Sequence, residues 1–146
     1  MNEHYRPTPG TPIEDLDTPC LIIDMDDLDN NMDVIASTYA GTTAKLRGHA
    51  KNHKTPAIAH RQIRRGGTVG GVCAAKVSEA EVMVHGGIAS VFITSEIVEL
   101  MKIDRLCSLA DQAELLVACE QPANARDISD RKSTRLNSSH VLLSYA

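Results

Sequence analysis

Short apolar runs alternate with longer amphipathic segments along this chain. After a first apolar run at residues 20–24, strands are predicted to begin near residues 44, 69, 90 and 115, a spacing of roughly 21 to 25 residues. That interval accommodates one strand, one helix and two short loops. The alternation is typical of parallel sheets built from strand–helix units. The sequence therefore predicts an α/β fold, either a doubly wound sheet or part of a (β/α)₈ barrel.

The first unit is predicted from two patterns. Residues 20–24, Cys-Leu-Ile-Ile-Asp, have the apolar character of a strand. Leu28, Met32, Ile35 and Tyr39 then recur at the spacing that places side chains on one face of a helix. We expect a strand followed by an amphipathic helix.

Three further helices carry boundary signals. Pro56 at the first helical position and the Gly66-Gly67 pair at the end define the helix after the second strand. In the next one, Glu81 follows Ser78 at the spacing of a capping box. The predicted N-caps are Thr55, Ser78 and either Thr94 or Ser95. Thr94 and Ser95 also end a strand, where their side chains would face a pocket.

Composition and charge narrow the class of protein. With 146 residues, 42% hydrophobic and 23% charged, the chain has the composition of one globular domain. Its net charge is −4 and its basic residues are dispersed, so we expect no nucleic-acid partner. No apolar run approaches the roughly 20 residues that cross a membrane, and the N-terminus lacks a signal peptide. These features predict a cytoplasmic protein without a membrane partner.

The cysteines do not form a metal-binding pattern. Cys20, Cys73, Cys107 and Cys119 stand singly, without a Cys-x-x-Cys pair, and three of them lie in apolar strand-like runs. We interpret them as buried, reduced thiols.

The segment Arg-Gly-His-Ala-Lys-Asn-His-Lys, residues 47–54, places Lys51 between two histidines where a strand meets a helix. In a barrel, catalytic groups gather at the C-terminal ends of strands. A lysine in a partly desolvated pocket flanked by cations loses its proton more easily and attacks aldehydes. The alternative is a solvated loop lysine, which is our interpretation of Lys54.

Four motifs together resemble one enzyme family: TPCLIIDMDDLDNNM, LRGHAKNHKTPAIA, GGVCAAKVSEAEVMVHGGI and VFITSEIV. They are similar to the N-terminal part of the group that contains D-threonine aldolase, D-serine dehydratase and 3-hydroxy-D-aspartate aldolase. These are pyridoxal 5'-phosphate (PLP) enzymes of the alanine racemase fold. The resemblance covers about residues 15–129.

The resemblance implies a truncated (β/α)₈ barrel of the alanine racemase N-terminal type and a catalytic role for Lys51, which corresponds to the lysine that binds PLP covalently. Gly48 stands where the family usually has proline, which loosens the backbone beside the site. Arg47 is a candidate for charge support of the cofactor. His49 and His53 could orient the cofactor, move protons or bind a metal, or they could only hydrogen-bond to neighbouring backbone.

The same resemblance implies a small amino-acid substrate, a divalent metal held by C-terminal residues that this chain lacks, and a homodimer for the full-length protein. The expected reaction is retro-aldol cleavage of D-configured β-hydroxy amino acids to glycine and an aldehyde. The alternatives are deamination of the D-serine dehydratase type, a non-catalytic PLP-binding protein, a structural fragment without ligand and a racemase. Because only four barrel units are present, we expect the chain as written to be inactive.

Three regions are predicted. Residues 1–19 form an N-terminal arm, and residues 20–129 form the partial PLP-binding barrel. From about residue 130 the chain reads DRKSTRLNSSHVLLSYA, rich in serine and arginine. That stretch is either a solvated tail or, in our interpretation, an artefactual read-through that resembles a sequencing-library adapter. We therefore exclude it from the predicted fold.

Overall fold

A computed structural model of the chain describes residues 5–135 and 141–145, with side chains over 5–131. A 3₁₀ turn at Ile13–Asp15 precedes an alternation of helices and strands. The helices are α1 Met25–Tyr39, α2 Pro56–Arg65, α3 Val77–His85, α4 Leu100–Leu109 and α5 Pro122–Arg135. The strands are β1 Leu46–His49, β2 Thr68–Ala74, β3 Ser90–Ile93, β4 Glu114–Cys119 and β5 Val141–Tyr145.

The described strands form one parallel sheet in the order β1-β2-β3-β4-β5. Each strand pairs with the next strand along the chain, and His49, Cys73, Phe92 and Leu116 are register partners across it. A doubly wound sheet reverses its strand order at a switch point, whereas consecutive barrel strands do not. The order therefore confirms the partial barrel.

The two faces of the sheet differ because side chains alternate along a strand. One face is buried under the helices, where Val91, Ile93, Leu115 and Val117 are fully enclosed. The opposite face is only half-buried at the register partners named above. The core of the described chain thus lies between the sheet and its helical layer. Its helix residues include Ala80, Met83, Ile103 and Leu106.

The strand predicted at residues 20–24 is wrong. The segment pairs with no described strand, Leu21 is fully exposed, and Ile22 and Ile23 are about half exposed. Cys20 is exposed too, which corrects its interpretation as a buried thiol. An apolar run makes a strand only when its backbone groups find a neighbour, and the outer edge of β1 carries none here.

The helix that follows is confirmed as α1. Its N-cap is Asp24, whose carboxylate accepts hydrogen bonds from the N–H groups of Asp26 and Asp27 at 2.9 and 3.1 Å. Met32 is buried, and its neighbours on the predicted face, Leu28 and Ile35, are half-buried. The cap and the stripe together fix where this helix begins and which side contacts the domain.

Helix α2 has the predicted bounds, beginning with Pro56 and ending before Gly66. The capping box predicted for α3 is wrong. That helix begins at Val77 after Lys76, without a side-chain cap. Glu81 instead pairs with Arg105 of α4. Glu81 therefore forms an ion pair between two helices and does not cap α3.

The predicted start of α4 at Thr94 or Ser95 is also wrong, because the helix begins at Leu100. The residues before it are held in an irregular conformation by two long-range contacts. The Glu96 carboxylate accepts a hydrogen bond from the Glu120 N–H at 3.0 Å. The Asn124 amide donates to the Ile97 carbonyl at 2.6 Å.

Regular structure is described beyond residue 130. Helix α5 continues to Arg135, and β5 pairs in parallel with β4, with Leu142 opposite Leu116. Residues 136–140 and 146 lie outside the described residues. The interpretation of 130–146 as a read-through stays a prediction. Over the described range, the helices are too short or too polar to cross a bilayer.

Candidate functional site

Lys51 lies in the turn that joins the C-terminal end of β1 to α2. The buried Ala50 anchors this turn, since its N–H donates to the Cys73 carbonyl and its own carbonyl accepts from the Lys54 N–H, both at 2.8 Å. Lys54 has a φ of 51°, in the left-handed region. The main chain beside Lys51 is therefore fixed on both sides.

The side chain of Lys51 is exposed. Within residues 5–131, no partner for its amine is seen; only its backbone N–H is bonded. The desolvated pocket expected around a nucleophilic lysine is thus not supplied by the described residues. What they supply is an accessible amine at the C-terminal end of β1, the end of the strands where barrel enzymes carry their catalytic groups.

His49 connects the main chain of Lys51 to a neighbouring strand end. Its Nδ1 accepts a hydrogen bond from the Lys51 N–H at 3.3 Å, and its Nε2 lies 3.4 Å from the Thr94 hydroxyl. Burial lowers the pKa of His49 and the nearby charge of Lys51 lowers it further, while Glu79 acts in the opposite direction. The lowered pKa favours the neutral ring, which is the form that Nδ1 needs to accept.

His53 repeats this arrangement two residues beyond the lysine. Its Nδ1 accepts from the Thr55 N–H at 3.2 Å, just before the start of α2. Burial lowers the pKa of His53. Of the roles considered for the two histidines, hydrogen bonding to neighbouring backbone describes what both rings do in the structure.

Arg47 lies on the same sheet face as His49, but its side chain contacts the N-terminal end of β3. Its Nη1 donates to the Ser90 hydroxyl at 3.0 Å, and that hydroxyl donates to Glu114 at 2.7 Å. Ser90 and Glu114 are the first residues of β3 and β4, whereas Lys51 follows the last residue of β1. The structure therefore brings Lys51, His49 and Thr94 together and does not bring Arg47 to them.

Two residues near the site were not predicted from the sequence to belong to it. Glu79 accepts a hydrogen bond from the Ala75 N–H at 2.8 Å, which closes the loop after β2, and its charge acts on His49. Cys73 is the register partner of His49, and burial raises the pKa of its thiol. The register between strands decides both neighbourhoods, and a single sequence carries little signal for register.

A cleft of about 450 Å³ is lined by residues of β1, α1, α2 and the turn after β1. Helix α1 lines it with Leu28, Met32 and Ile35, and the other side is formed by His53, Ile58 and Gln62. Lys51 does not line it. No group of three or more His, Cys, Asp and Glu side chains in the described part of the chain could hold a metal ion.

No protein-family model matches the chain. Curated relatives do. Over 122 residues the chain is 38% identical to a 3-hydroxy-D-aspartate aldolase of Paracoccus denitrificans, covering 83% of this chain and 31% of the relative. Over 121 residues it is 36% identical to a D-threonine aldolase of an Arthrobacter species, with the same coverage.

The crystal structure of D-threonine aldolase from Filomicrobium marinum superposes with a TM-score of 0.79 at 43% identity, covering 84% of this chain and 32% of that one. The chain is similar to the N-terminal region of these D-threonine and 3-hydroxy-D-aspartate aldolases. The resemblance of the four motifs is thereby confirmed. The chain spans 31% of the length of the curated aldolases that it matches.

Proposed function

We propose that this chain supplies the cofactor-binding lysine of a PLP-dependent lyase that cleaves D-configured β-hydroxy amino acids into glycine and an aldehyde. The observation that carries the proposal is the position of Lys51, an accessible amine on a fixed main chain at the C-terminal end of β1. The curated relatives support it, because one is named a 3-hydroxy-D-aspartate aldolase and the other a D-threonine aldolase. That naming also favours aldol cleavage over the deamination considered from the sequence.

The residues present fit a covalently held aldehyde cofactor. An amine that is already ion-paired would have to break that pair before it attacks, and no such pair is seen for Lys51 among residues 5–131. When bound, PLP supplies an electron sink for cleavage of the bond between Cα and Cβ. The activation that a nucleophilic lysine needs, through partial desolvation, has to come from outside the described residues.

The two histidines have different capacities. Both nitrogens of His49 have neighbours within hydrogen-bonding range, Lys51 and Thr94, so we assign it the role of orienting the lysine main chain. His53 uses Nδ1 on the Thr55 N–H, and for its Nε2 the described residues offer no partner. In the neutral ring that nitrogen carries the proton. We therefore propose His53 as the hydrogen-bond donor toward cofactor or substrate.

Arg47 stays a predicted cofactor ligand that would first have to leave Ser90. The divalent metal, the homodimer and the cytoplasmic location are likewise carried forward as predictions, as are the boundaries of the three regions. The metal, the homodimer and the location concern the whole protein, and this chain spans 31% of the length of the curated relatives that it matches.

The first experiment traps the cofactor. The chain is incubated with PLP, reduced with borohydride and digested, and the modified lysine is identified by mass spectrometry. We expect the adduct on Lys51, its loss in Lys51→Ala and its retention in Lys54→Gln, the matched control three residues away. An adduct that survives Lys51→Ala at the same yield would overturn the proposal.

The second experiment tests the reaction. Residues 5–131 replace the corresponding part of the Filomicrobium marinum D-threonine aldolase, and glycine release from D-threonine is measured with L-threonine as the control substrate. We expect cleavage of the D-isomer by the chimaera and none after Lys51→Ala. A folded, PLP-free chimaera would contradict the assignment of Lys51.

A further inference from the structure

The ring of His49 lies beside Lys51 and connects the C-terminal end of β1 to that of β3. The imidazole starts at the last residue of β1, passes over β2 and comes within 3.4 Å of the hydroxyl of Thr94, which directly follows β3. On its other side the ring accepts the Lys51 N–H at 3.3 Å. His49 thus links the lysine main chain to a residue 45 positions further along the chain.

The direction of these hydrogen bonds follows from the groups involved. A backbone N–H can only donate, so Nδ1 of His49 is unprotonated where it meets Lys51. In a neutral imidazole the proton then sits on Nε2, which becomes the donor toward Thr94. The Thr94 hydroxyl in turn donates to the Ala74 carbonyl at 3.3 Å.

The hydroxyl at residue 94 is held in place independently of His49. The Thr94 N–H donates to the Ala74 carbonyl at 3.0 Å, which extends the pairing between β2 and β3 by one residue. A threonine hydroxyl accepts one hydrogen bond and donates another at the same time. Valine has the same shape and can do neither, and serine can do both.

We propose that Thr94 is a positioning residue for Lys51: it holds His49 with the proton on Nε2, so that Nδ1 remains available to fix the Lys51 main chain. The inference rests on the proposed role of Lys51. Without the hydroxyl, the neutral ring can place its proton on either nitrogen. With the proton on Nδ1, the ring no longer accepts the Lys51 N–H, and the turn loses one of its anchors.

The charges around the ring agree with this assignment. Lys51 lies on the same turn and Glu79 lies at the start of α3, with opposite effects on protonation of the ring. Burial is the largest cause of the lowered pKa of His49, the charge of Lys51 adds to it, and both favour the neutral imidazole. A charged ring would donate from both nitrogens and would repel the Lys51 N–H.

The test compares Thr94→Val with Thr94→Ser in the 146-residue chain, with Thr38→Val as the matched control. Thr38 lies on α1, where its hydroxyl donates to the Val34 carbonyl of the same helix. The ¹⁵N shifts of the His49 ring report which nitrogen carries the proton. The rate of borohydride-trapped PLP labelling at Lys51 reports the consequence.

We expect the wild type, Thr38→Val and Thr94→Ser to keep the proton on Nε2. In Thr94→Val we expect a mixture of both tautomers and labelling slowed by about three- to tenfold, the range expected when one hydrogen bond is lost. A wild-type ring with its proton on Nδ1 would overturn the inference without any variant. So would equal labelling rates in Thr94→Val and the wild type.

The two proposals fail in different ways. If PLP labels no lysine of the wild type, or labels a lysine other than Lys51, the proposed function is wrong and the ¹⁵N shifts still decide the state of His49. If Lys51 is labelled and Thr94→Val changes neither the shifts nor the rate, only the role of Thr94 is wrong.

Discussion

The guanidinium of Arg47 reaches the hydroxyl of Ser90 by passing over Gly71. A Cβ added to Gly71 would lie 2.5 Å from Nη1 of Arg47 and 2.4 Å from the Ser90 carbonyl oxygen. The glycine is therefore the condition for this contact across β2. His49, two residues further along β1, also reaches across β2 and contacts Thr94, which follows the C-terminal end of β3. Two side chains on one face of β1 thus form hydrogen bonds at the two ends of β3.

Gly71→Ala should be costly and Gly48→Ala should not. At Gly71 the new methyl meets backbone of β3, which cannot move without breaking the sheet, so we expect a loss of about 1–3 kcal/mol in the free energy of unfolding. At Gly48 it meets the end of the Gln62 side chain, which can rotate away. Urea unfolding of both variants checks the difference. Equal stability of the two would contradict the close approach of β3 backbone to Gly71.

The parts of the fold that the sequence predicted well depend on local signals. Helix α2 has its predicted bounds because Pro56 and Gly66 act on their own backbone, whatever the rest of the chain does. The order of strands and helices was predictable for the same reason, since an apolar period is a local property. Lys51 at a strand end follows directly from that order.

The contacts that the sequence did not predict join distant residues. Arg47 bonds to Ser90, 43 residues away, and Glu81 pairs with Arg105, 24 residues away. Neither partner can be read from a local pattern, because strand register and helix packing decide which side chains meet. Residues 20–24 fail in the opposite way: their local pattern is that of a strand, but the described residues provide no neighbouring strand for it.

Asn124→Ala should destabilise the segment before α4. The Asn124 side chain is 6% exposed and donates to the Ile97 carbonyl, so its removal leaves a carbonyl in the interior without that partner. We expect a loss of about 1–3 kcal/mol in the free energy of unfolding and faster proteolysis within residues 95–99. Asn30→Ala, at an exposed position of α1, is the matched control. Unchanged proteolysis in Asn124→Ala would argue against this anchoring role.

Asp29→Asn should remove part of the acid sensitivity of the chain. The hydrogen bonds from Arg61, followed by the charges of Arg61 and Arg65, hold the pKa of Asp29 below its ordinary value of 3.8. A lowered folded pKa gives stability that is present above 3.8 and is lost as the pH falls through the folded value. The midpoint temperature of thermal unfolding should therefore fall less steeply between about pH 5 and pH 2 in Asp29→Asn than in the wild type. Asp17→Asn, at an exposed position before α1, serves as the control and should keep the wild-type slope.

The four thiols should react with iodoacetamide in an order set by burial. Cys20 is exposed and should be alkylated first, whereas Cys107 and Cys119 are buried and should react only after unfolding. Cys73 is intermediate in exposure, and burial raises the pKa of both Cys73 and Cys119, which lowers their thiolate fractions. Timed alkylation followed by peptide mass spectrometry, with and without urea, measures the order. Cys20→Ser should remove the fast phase alone. Rapid labelling of Cys107 in the native chain would mean that α4 does not bury this thiol in the core as described.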